Sequence, residues 1–320
     1  MKTHVYSRPQ IEATPLPGPS AVVCMADSAP QLARIRDKDN VLKRLDLIFN
    51  DSRDDFGIVR APNEADAKRL LDFVAKHREA IPNIVFQCEV GIGRSVAAQA
   101  AVERVYGGDH RAPLSRGTHN RTLYRKLLQA AGLEPEPEPK VSLAVRLKYA
   151  PDRMQAFMLS IQRQRYDNWE LVFVTDGPNA AARELVERTG DARIKLVETE
   201  KPMGRWGHPY RQRGIAACTG ELIGLSNDDN YYVPGYFEQM VGALQAENAD
   251  LVMCRMLHSY WGWRMIDAGN DLGSWLAKRE LVERQAWKGD DFFYDAEYLE
   301  QLRKRSARTA VVDRPLFIHN

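Results

Sequence analysis

Residues 222–234, L-I-G-L-S-N-D-D-N-Y-Y-V-P, run from an apolar segment into a polar cluster and then into aromatic residues and a proline. The apolar run is short, begins after Gly220 and stops at Asn227, Asp228, Asp229 and Asn230. That is the pattern of a buried strand, not of a helix. Carboxylates at the carboxyl end of such a strand stand where open α/β sheets bind their ligands. Two adjacent aspartates repel each other unless positive charge sits beside them. A divalent cation, Mg2+ or Mn2+, holding a diphosphate would supply that charge, because hard oxygen ligands suit these ions. An Asp/Asn-rich turn with no ligand is the plain alternative.

The chain around this stretch has 320 residues, enough for two domains, with 44% apolar and 28% charged residues, as in an ordinary globular protein. A formal net charge of +2 gives no electrostatic case for nucleic acid or an acidic membrane surface. No apolar run has the length of a membrane span, and the opening M-K-T-H-V-Y-S-R-P-Q lacks a signal-type segment. Cys24, Cys88, Cys218 and Cys254 are scattered, without metal-ligand spacing, which suits a reducing cytoplasm.

Residues 134–139 read E-P-E-P-E-P, an extended spacer that can be neither helix nor central strand. It follows Ala131-Gly132, a natural helix stop. The expected organisation is therefore a small α/β domain at 1–133, a Glu/Pro linker at 134–140 and a larger α/β domain at 141–320.

In the front part, residues 20–25 and 45–49 read as strands, and Ala67, Leu70, Leu71 and Val74 mark one helical face within 63–77. Residues 83–87 form another short strand that runs into C-E-V-G-I-G-R-S, Cys88 to Ser95, and then into a helix at 96–105. Glycines let backbone N–H groups converge, and a helix N-terminus adds positive potential, so the loop Glu89, Val90, Gly91, Ile92, Gly93, Arg94, Ser95 reads as a phosphate cradle. Arg94 can grip two phosphate oxygens, and the same field favours a thiolate nucleophile at Cys88 whose departure Ser95 can assist. A structural cysteine beside a Gly-rich turn is the bland alternative. These residues resemble the cysteine-dependent protein-tyrosine/dual-specificity phosphatases, whose signature is H-C-x5-R-[ST], over residues 20–130. The resemblance implies hydrolysis or recognition of a phosphoester on a phosphorylated substrate. It also implies a general acid on an upstream loop, first Asp51 and then Asp55. Gln87 stands where that signature has histidine.

In the back part, strands read at 141–147, 169–175 and 194–197 alternate with helices at 154–164, 180–188 and 211–218, which predicts a parallel, doubly wound sheet. No G-x-G-x-x-G follows the first strand, which argues against a dehydrogenase-type dinucleotide fold. Three pieces in order, S-I-Q-R-Q-R-Y-D-N-W-E-L-V-F-V-T-D-G, R-Q-R-G-I-A-A-C-T-G-E-L-I and S-N-D-D-N-Y-Y-V-P, are similar to family 2 glycosyltransferases of the GT-A (Rossmann-like) fold. The resemblance covers 141–320. It implies a metal-dependent, inverting transfer from a nucleotide-diphosphate sugar, with Mn2+ or Mg2+, to an acceptor that could be glycan, lipid, protein or modified nucleic acid.

Carried over by position, Asp176 would meet the nucleobase or ribose, Asp228 the ribose or sugar, and Asp229 and His319 the metal. Arg211 would contact the diphosphate or nucleotide, unless it is a solvated helix charge. Gly273, in Asp271-Leu272-Gly273-Ser274-Trp275, would shape the donor site. Asp295, or else Asp291, would take the acceptor proton, and an N-cap role for Asp295 is compatible with that. Asn227 replaces the first aspartate of the D-x-D pattern. Tyr260, Trp261 and Trp263 read first as packing residues and second as an acceptor groove, and Trp206 and His208 as packing. Gln87 and Asn227 favour a rival, a non-catalytic phosphate- and glycan-binding protein. A nucleotidyltransferase is a second rival, opposed by the lack of a Gly-rich triphosphate loop near the first strand.

Overall fold

Short apolar runs bounded by Gly, Pro, Asn and Asp become strands in both halves of the chain. The computed structural model describes residues 1–52, 58–114, 119–135, 137–147, 151–202, 204, 208–285, 287 and 294–320. They fall into two units, Met1–Pro137 and Glu138–Asn320. Among the described residues no helix is long and apolar enough to cross a membrane. The four cysteines are buried free thiols.

The first unit runs β1 (Lys2–Ser7), α1 (Arg8–Ala13), β2 (Ser20–Ala26), β3 (Val41–Ile48), α2 (Glu64–His77), β4 (Asn83–Cys88), α3 (Arg94–Val105), α4 (Arg111–Leu114) and α5 (Arg121–Ala130). Its sheet has the order β1-β4-β2-β3, and every pair is parallel. Alternate residues of β2 and β4 serve two cores. Ala21, Val23, Met25, Ile84 and Phe86 pack with α2, α3 and α5 on one face, while Val22, Cys24 and Val85 pack with Ile11 and Ile35 on the other. Asn63 caps α2 with a reciprocal capping box through Asp66. β1 and α1 were not anticipated from sequence. β1 alternates too weakly to stand out, and it is held by parallel pairing with β4.

The second unit runs β5 (Val141–Arg146), α6 (Pro151–Gln162), β6 (Trp169–Thr175), α7 (Ala180–Thr189), β7 (Ile194–Glu198), α8 (His208–Ala217), β8 (Leu222–Asn227), β9 (Tyr231–Tyr232), α9 (Tyr236–Ala246), β10 (Leu251–His258), β11 (Arg264–Ile266), β12 (Trp275–Lys278), α10 (Arg279–Arg284), α11 (Tyr294–Arg305) and β13 (Thr309–His319). Among the described residues the sheet order is β7-β6-β5-β8-β12-β10-β13-β9, with β11 beside β10. The first four strands are parallel, as the alternation of strands and helices requires. A sheet parallel throughout is not what the chain builds: β12 pairs antiparallel with both β8 and β10, and β9 antiparallel with β13. β10 and β12, joined through β11 without a crossover helix, have no route to parallel pairing. β13 returns parallel to β10, with its register shifted where Pro315 has no N–H to give the ladder.

The chain leaves β5 outward through β6 and β7, then comes back to β8 on the other side of β5. Such a reversal opens a crevice at the carboxyl ends of the central strands. At the opposite, amino ends, the buried Glu170 carboxylate draws the strands together. It accepts from Ser142 Oγ at 2.5 Å, Lys195 Nζ at 2.8 Å and Lys140 Nζ at 2.9 Å, and from the Thr219 N–H and hydroxyl. Burial alone would raise its pKa; these donors outweigh burial and hold it well below the usual carboxylate range.

Candidate functional site

The crevice collects predicted residues from the ends of β6, β8 and β13, from α8 and α11, and from the segment before β12. β8 ends at Asn227, and the chain turns through Asp228 and Asp229, both buried, into the fully buried Asn230. Asn230 Nδ2 donates to Ser226 Oγ at 3.2 Å, which pins the turn from beneath. Asp229 Oδ1 is buried without a hydrogen-bond partner. Burial raises the Asp229 pKa, and the charge of His319 only partly opposes it. Asp176 follows β6, and its Oδ2 accepts from the Gly204 N–H at 3.0 Å.

His319 reaches this turn from the end of β13. Its Nδ1 lies 3.0 Å from Asp271 Oδ2, while Asp271 Oδ1 accepts from the Gly273 N–H at 2.7 Å. Burial would lower the His319 pKa, but the Asp271 hydrogen bond and the charges of Asp271 and Asp229 raise it. In sequence Asp271 is only the first residue of the segment around Gly273; its pairing with His319, 48 positions away, needs the tertiary fold. Gly273 is placed by packing: a Cβ there would lie 2.7 Å from Tyr232 Oη and 2.9 Å from Phe317 Cε2.

Arg211 is neither solvated nor on the surface. It is 3% exposed, donates from Nη2 to Asn227 Oδ1 at 2.8 Å, and lies 5.3 Å over the Trp287 ring. Asp295 Oδ2 is 3.7 Å from the same Nη2. Burial lowers the Arg211 pKa to about 10, against the pull of Asp295, so it stays cationic at neutral pH. Asp295 sits inside the first turn of α11, after Tyr294, and not at its cap. Arg146, at the end of β5 opposite Asn227, was missed because an arginine closing an apolar strand carries no motif. Its charge acts on Asp229 and on Arg211. Asp291, Trp206 and the side chain of His208 lie outside the described residues.

Among the described residues no three His, Cys, Asp or Glu groups enclose an ion by themselves. Mg2+ and Mn2+ do not require such a cage: they are held by one or two protein groups with phosphate oxygens and water. The unpartnered oxygen of Asp229 beside His319 is a donor set of that kind.

In the first unit the loop after β4 closes on its own thiol. Cys88 Sγ accepts from the Gly91 N–H at 3.3 Å and lies 3.1 Å from Ser95 Oγ, within hydrogen-bond reach. Gly91, at φ +79, brings the backbone within reach of Ser7, and a Cβ there would stand 2.8 Å from Ser7 N. A Cβ on Gly93 would collide with Asp51 Oδ2, so Asp51 overhangs the loop. Glu89, Val90 and Ile92 are on its outer side, Val90 and Ile92 exposed. Arg94 is buried and donates from Nη1 to Asp27 Oδ1 at 2.7 Å and to the Phe49 carbonyl at 2.6 Å. Buried Gln87 leaves Oε1 without a hydrogen-bond partner. Asp55 lies outside the described residues.

Asn120 was not singled out from sequence. It donates to Asp51 Oδ1 at 2.7 Å while its own Oδ1 caps α5 through the Leu123 N–H at 2.8 Å. Its place three residues before Leu123 is an N-cap signal that could have revealed it.

The family model described as glycosyl transferase family 2 matches residues 147–309. The Bacillus subtilis protein named "Putative glycosyltransferase EpsH" is 31% identical over 119 residues, which are 36% of this chain and 33% of EpsH. The Escherichia coli protein WfgD, named a UDP-Glc:alpha-D-GlcNAc-diphosphoundecaprenol beta-1,3-glucosyltransferase, is 22% identical over 46% of this chain and 55% of its own length. The chain thus spans about a third and about half of these curated relatives. The crystal structure of S. aureus TarS 1-349 superposes with a TM-score of 0.51 at 14% identity, covering 57% of this chain and 60% of TarS, a likeness of fold. The family model spans just over half of the chain, including Asp176, Asp228, Asp229, Asp271 and Asp295, and the chain belongs to glycosyl transferase family 2.

Proposed function

We propose that the second unit transfers a sugar, with inversion, from a nucleoside diphosphate donor to an acceptor hydroxyl. The observation that carries this is the unpartnered Asp229 carboxylate oxygen set beside the His319–Asp271 pair at the strand crossover. WfgD, named for UDP-glucose, supports a nucleotide sugar as donor. Asp176 and Asp228 would hold the nucleoside and sugar. Asp229 and His319 would hold a divalent cation, which when bound neutralises charge developing on the diphosphate. Arg211, fixed against Asn227, orients Asp295. The acceptor oxygen attacks the anomeric carbon, the bond to the diphosphate breaks, and Asp295 takes the acceptor proton. A panel of UDP-, GDP- and dTDP-sugars incubated with Mn2+ tests the reading by donor hydrolysis and transfer. No turnover and no nucleotide binding across the panel would sink it and favour a degenerate binding fold.

For the first unit we propose a cysteine phosphatase. The inward Gly91 N–H and Ser95 hydroxyl on the Cys88 sulfur, with Asp51 overhead, support it. The Cys88 thiolate attacks phosphorus, and the leaving oxygen takes its proton from Asp51. Water then cleaves the phosphocysteine, returning its proton to Asp51 and the electron pair to sulfur. Arg94 must trade the Asp27 carboxylate for phosphate oxygens. Release of phosphate from an aryl phosphate tests this reading directly.

A further inference from the structure

The turn between β10 and β11 carries a cluster of exposed aromatic side chains. Tyr260, Trp261, Trp263 and Met265 are 67%, 59%, 61% and 53% exposed, and Gly262 lies among them. Leu42, Ile58 and Leu159 are exposed singly, and Val90 and Ile92 belong to the loop after β4. Isolated exposed hydrophobes need no explanation; a contiguous patch does. Core packing is therefore ruled out for Tyr260, Trp261 and Trp263, which stand exposed at the rim.

The patch is tied to the crevice. Trp261 stacks face to face on His258, with centroids 4.0 Å apart and planes 3° apart. The His258 ring lies 4.6 Å from the His319 ring, and the two residues are register partners across β10 and β13. Ser259 Oγ meets Asn320 Oδ1 at 3.0 Å and ties the turn to the same strand end. A column thus runs His319, His258, Trp261, and a ring stacked on the open face of Trp261 would be the fourth member. Trp263 is held at φ +60, beside Gly262 at φ +68. A bulky residue rarely adopts that conformation, and such strain collects at ligand clamps.

We infer that the Trp261 face, with Tyr260 and Trp263 beside it, is a subsite for an oligosaccharide acceptor, binding sugar rings distal to the one that receives the new bond. The inference rests on the glycosyl-transfer reading of the crevice and names the acceptor class for it. An aromatic plane locked by a parallel partner, with one face open, has already lost its rotamer freedom, which suits the apolar face of a pyranose. A bilayer contact needs interfacial aromatic side chains but no fixed ring plane and no alignment with His319.

The test is calorimetric titration of the full chain, with Mn2+ and UDP present, using cellotetraose, chitotetraose, laminaritetraose and maltotetraose. At least one should bind saturably, about ten-fold more weakly in Trp261→Ala and within about three-fold of wild type in Trp261→Tyr, with unchanged thermal melts confirming folding. Absence of binding to all four, or equal binding by Trp261→Ala, overturns the inference. So does tryptophan emission that shifts blue on phosphatidylcholine–phosphatidylglycerol vesicles while no saccharide binds, since that marks a membrane contact. Wild-type protein that binds UDP but no saccharide sinks this inference and leaves the donor reading standing. Saccharide binding without any nucleotide binding sinks the donor reading instead.

Discussion

The loop after β4 and the turn after β8 occupy the same place in their folds, the carboxyl end of a buried strand, yet their charge logic is opposite. After β4 come glycines, an inward N–H, a helix N-terminus and Arg94, a set of donors for an anion. After β8 come Asp228 and Asp229 and, across from them, the Asp271–His319 pair, the carboxylate-rich set proposed above to hold a cation. No α-helix begins within two residues of that turn: the two-residue strand β9 follows, and α9 starts only at Tyr236. The two strand ends share a position, and the residue types placed there set opposite signs for the ligand proposed at each.

That contrast can be broken at four places. The largest effect is expected at Cys88: Cys88→Ser should reduce aryl-phosphate hydrolysis to background while leaving donor hydrolysis by the second unit untouched, because the hydroxyl is a far poorer nucleophile here. Residual phosphatase activity that survives the substitution would take Cys88 out of the chemistry. Next, Asp295→Asn should lower transfer by about 10²–10⁴-fold with nucleotide affinity nearly unchanged, the range for a lost general base. Full turnover in that variant would assign the base elsewhere.

Glu170→Ala, at the amino ends of the strands, should destabilise the protein by about 3 kcal/mol, roughly a hundredfold in the folding equilibrium. The figure is at the lower end for a broken buried pair because Lys140 and Lys195 are partly exposed and can rehydrate. Urea unfolding measures it. The Glu170 pKa is depressed on folding, so its contribution is complete above the unfolded carboxylate value, about 4.3, and fades as pH falls through the lower folded value. Wild type should therefore lose more stability than Glu170→Gln between neutral pH and strong acid. Parallel pH profiles for the two proteins would remove Glu170 from this role.

The smallest effect belongs to Asp271→Asn. It should weaken Mn2+ binding, read by electron paramagnetic resonance in the presence of UDP, by about ten-fold, as losing the carboxylate behind a metal-binding histidine does. Unchanged binding would leave Asp271 only its turn-capping hydrogen bond to Gly273.

The two strand ends were also unequally legible. Cys88 to Ser95 is local: strand, glycines, arginine and helix follow one another, so spacing alone brings these residues to one loop, and the structure adds Asp27 and Asn120 from distant segments. The crevice is assembled from residues 146, 176, 211, 227–229, 271, 295 and 319, which only the sheet order brings together. The resemblance supplied most of these positions but not their partners. Sequence pattern cannot say that Arg211 is buried under Asp295, because one arginine on a helix looks like any other until its face is known.

By itself the sequence determined two α/β halves and the residue types at each strand end, because hydrophobic period and turn residues act over a few positions. Only the tertiary structure decided the antiparallel second half of the large sheet, the Asp271–His319 pair and the exposure of Trp261. Strand order, register and burial depend on contacts between segments tens to hundreds of residues apart, and no local pattern encodes them.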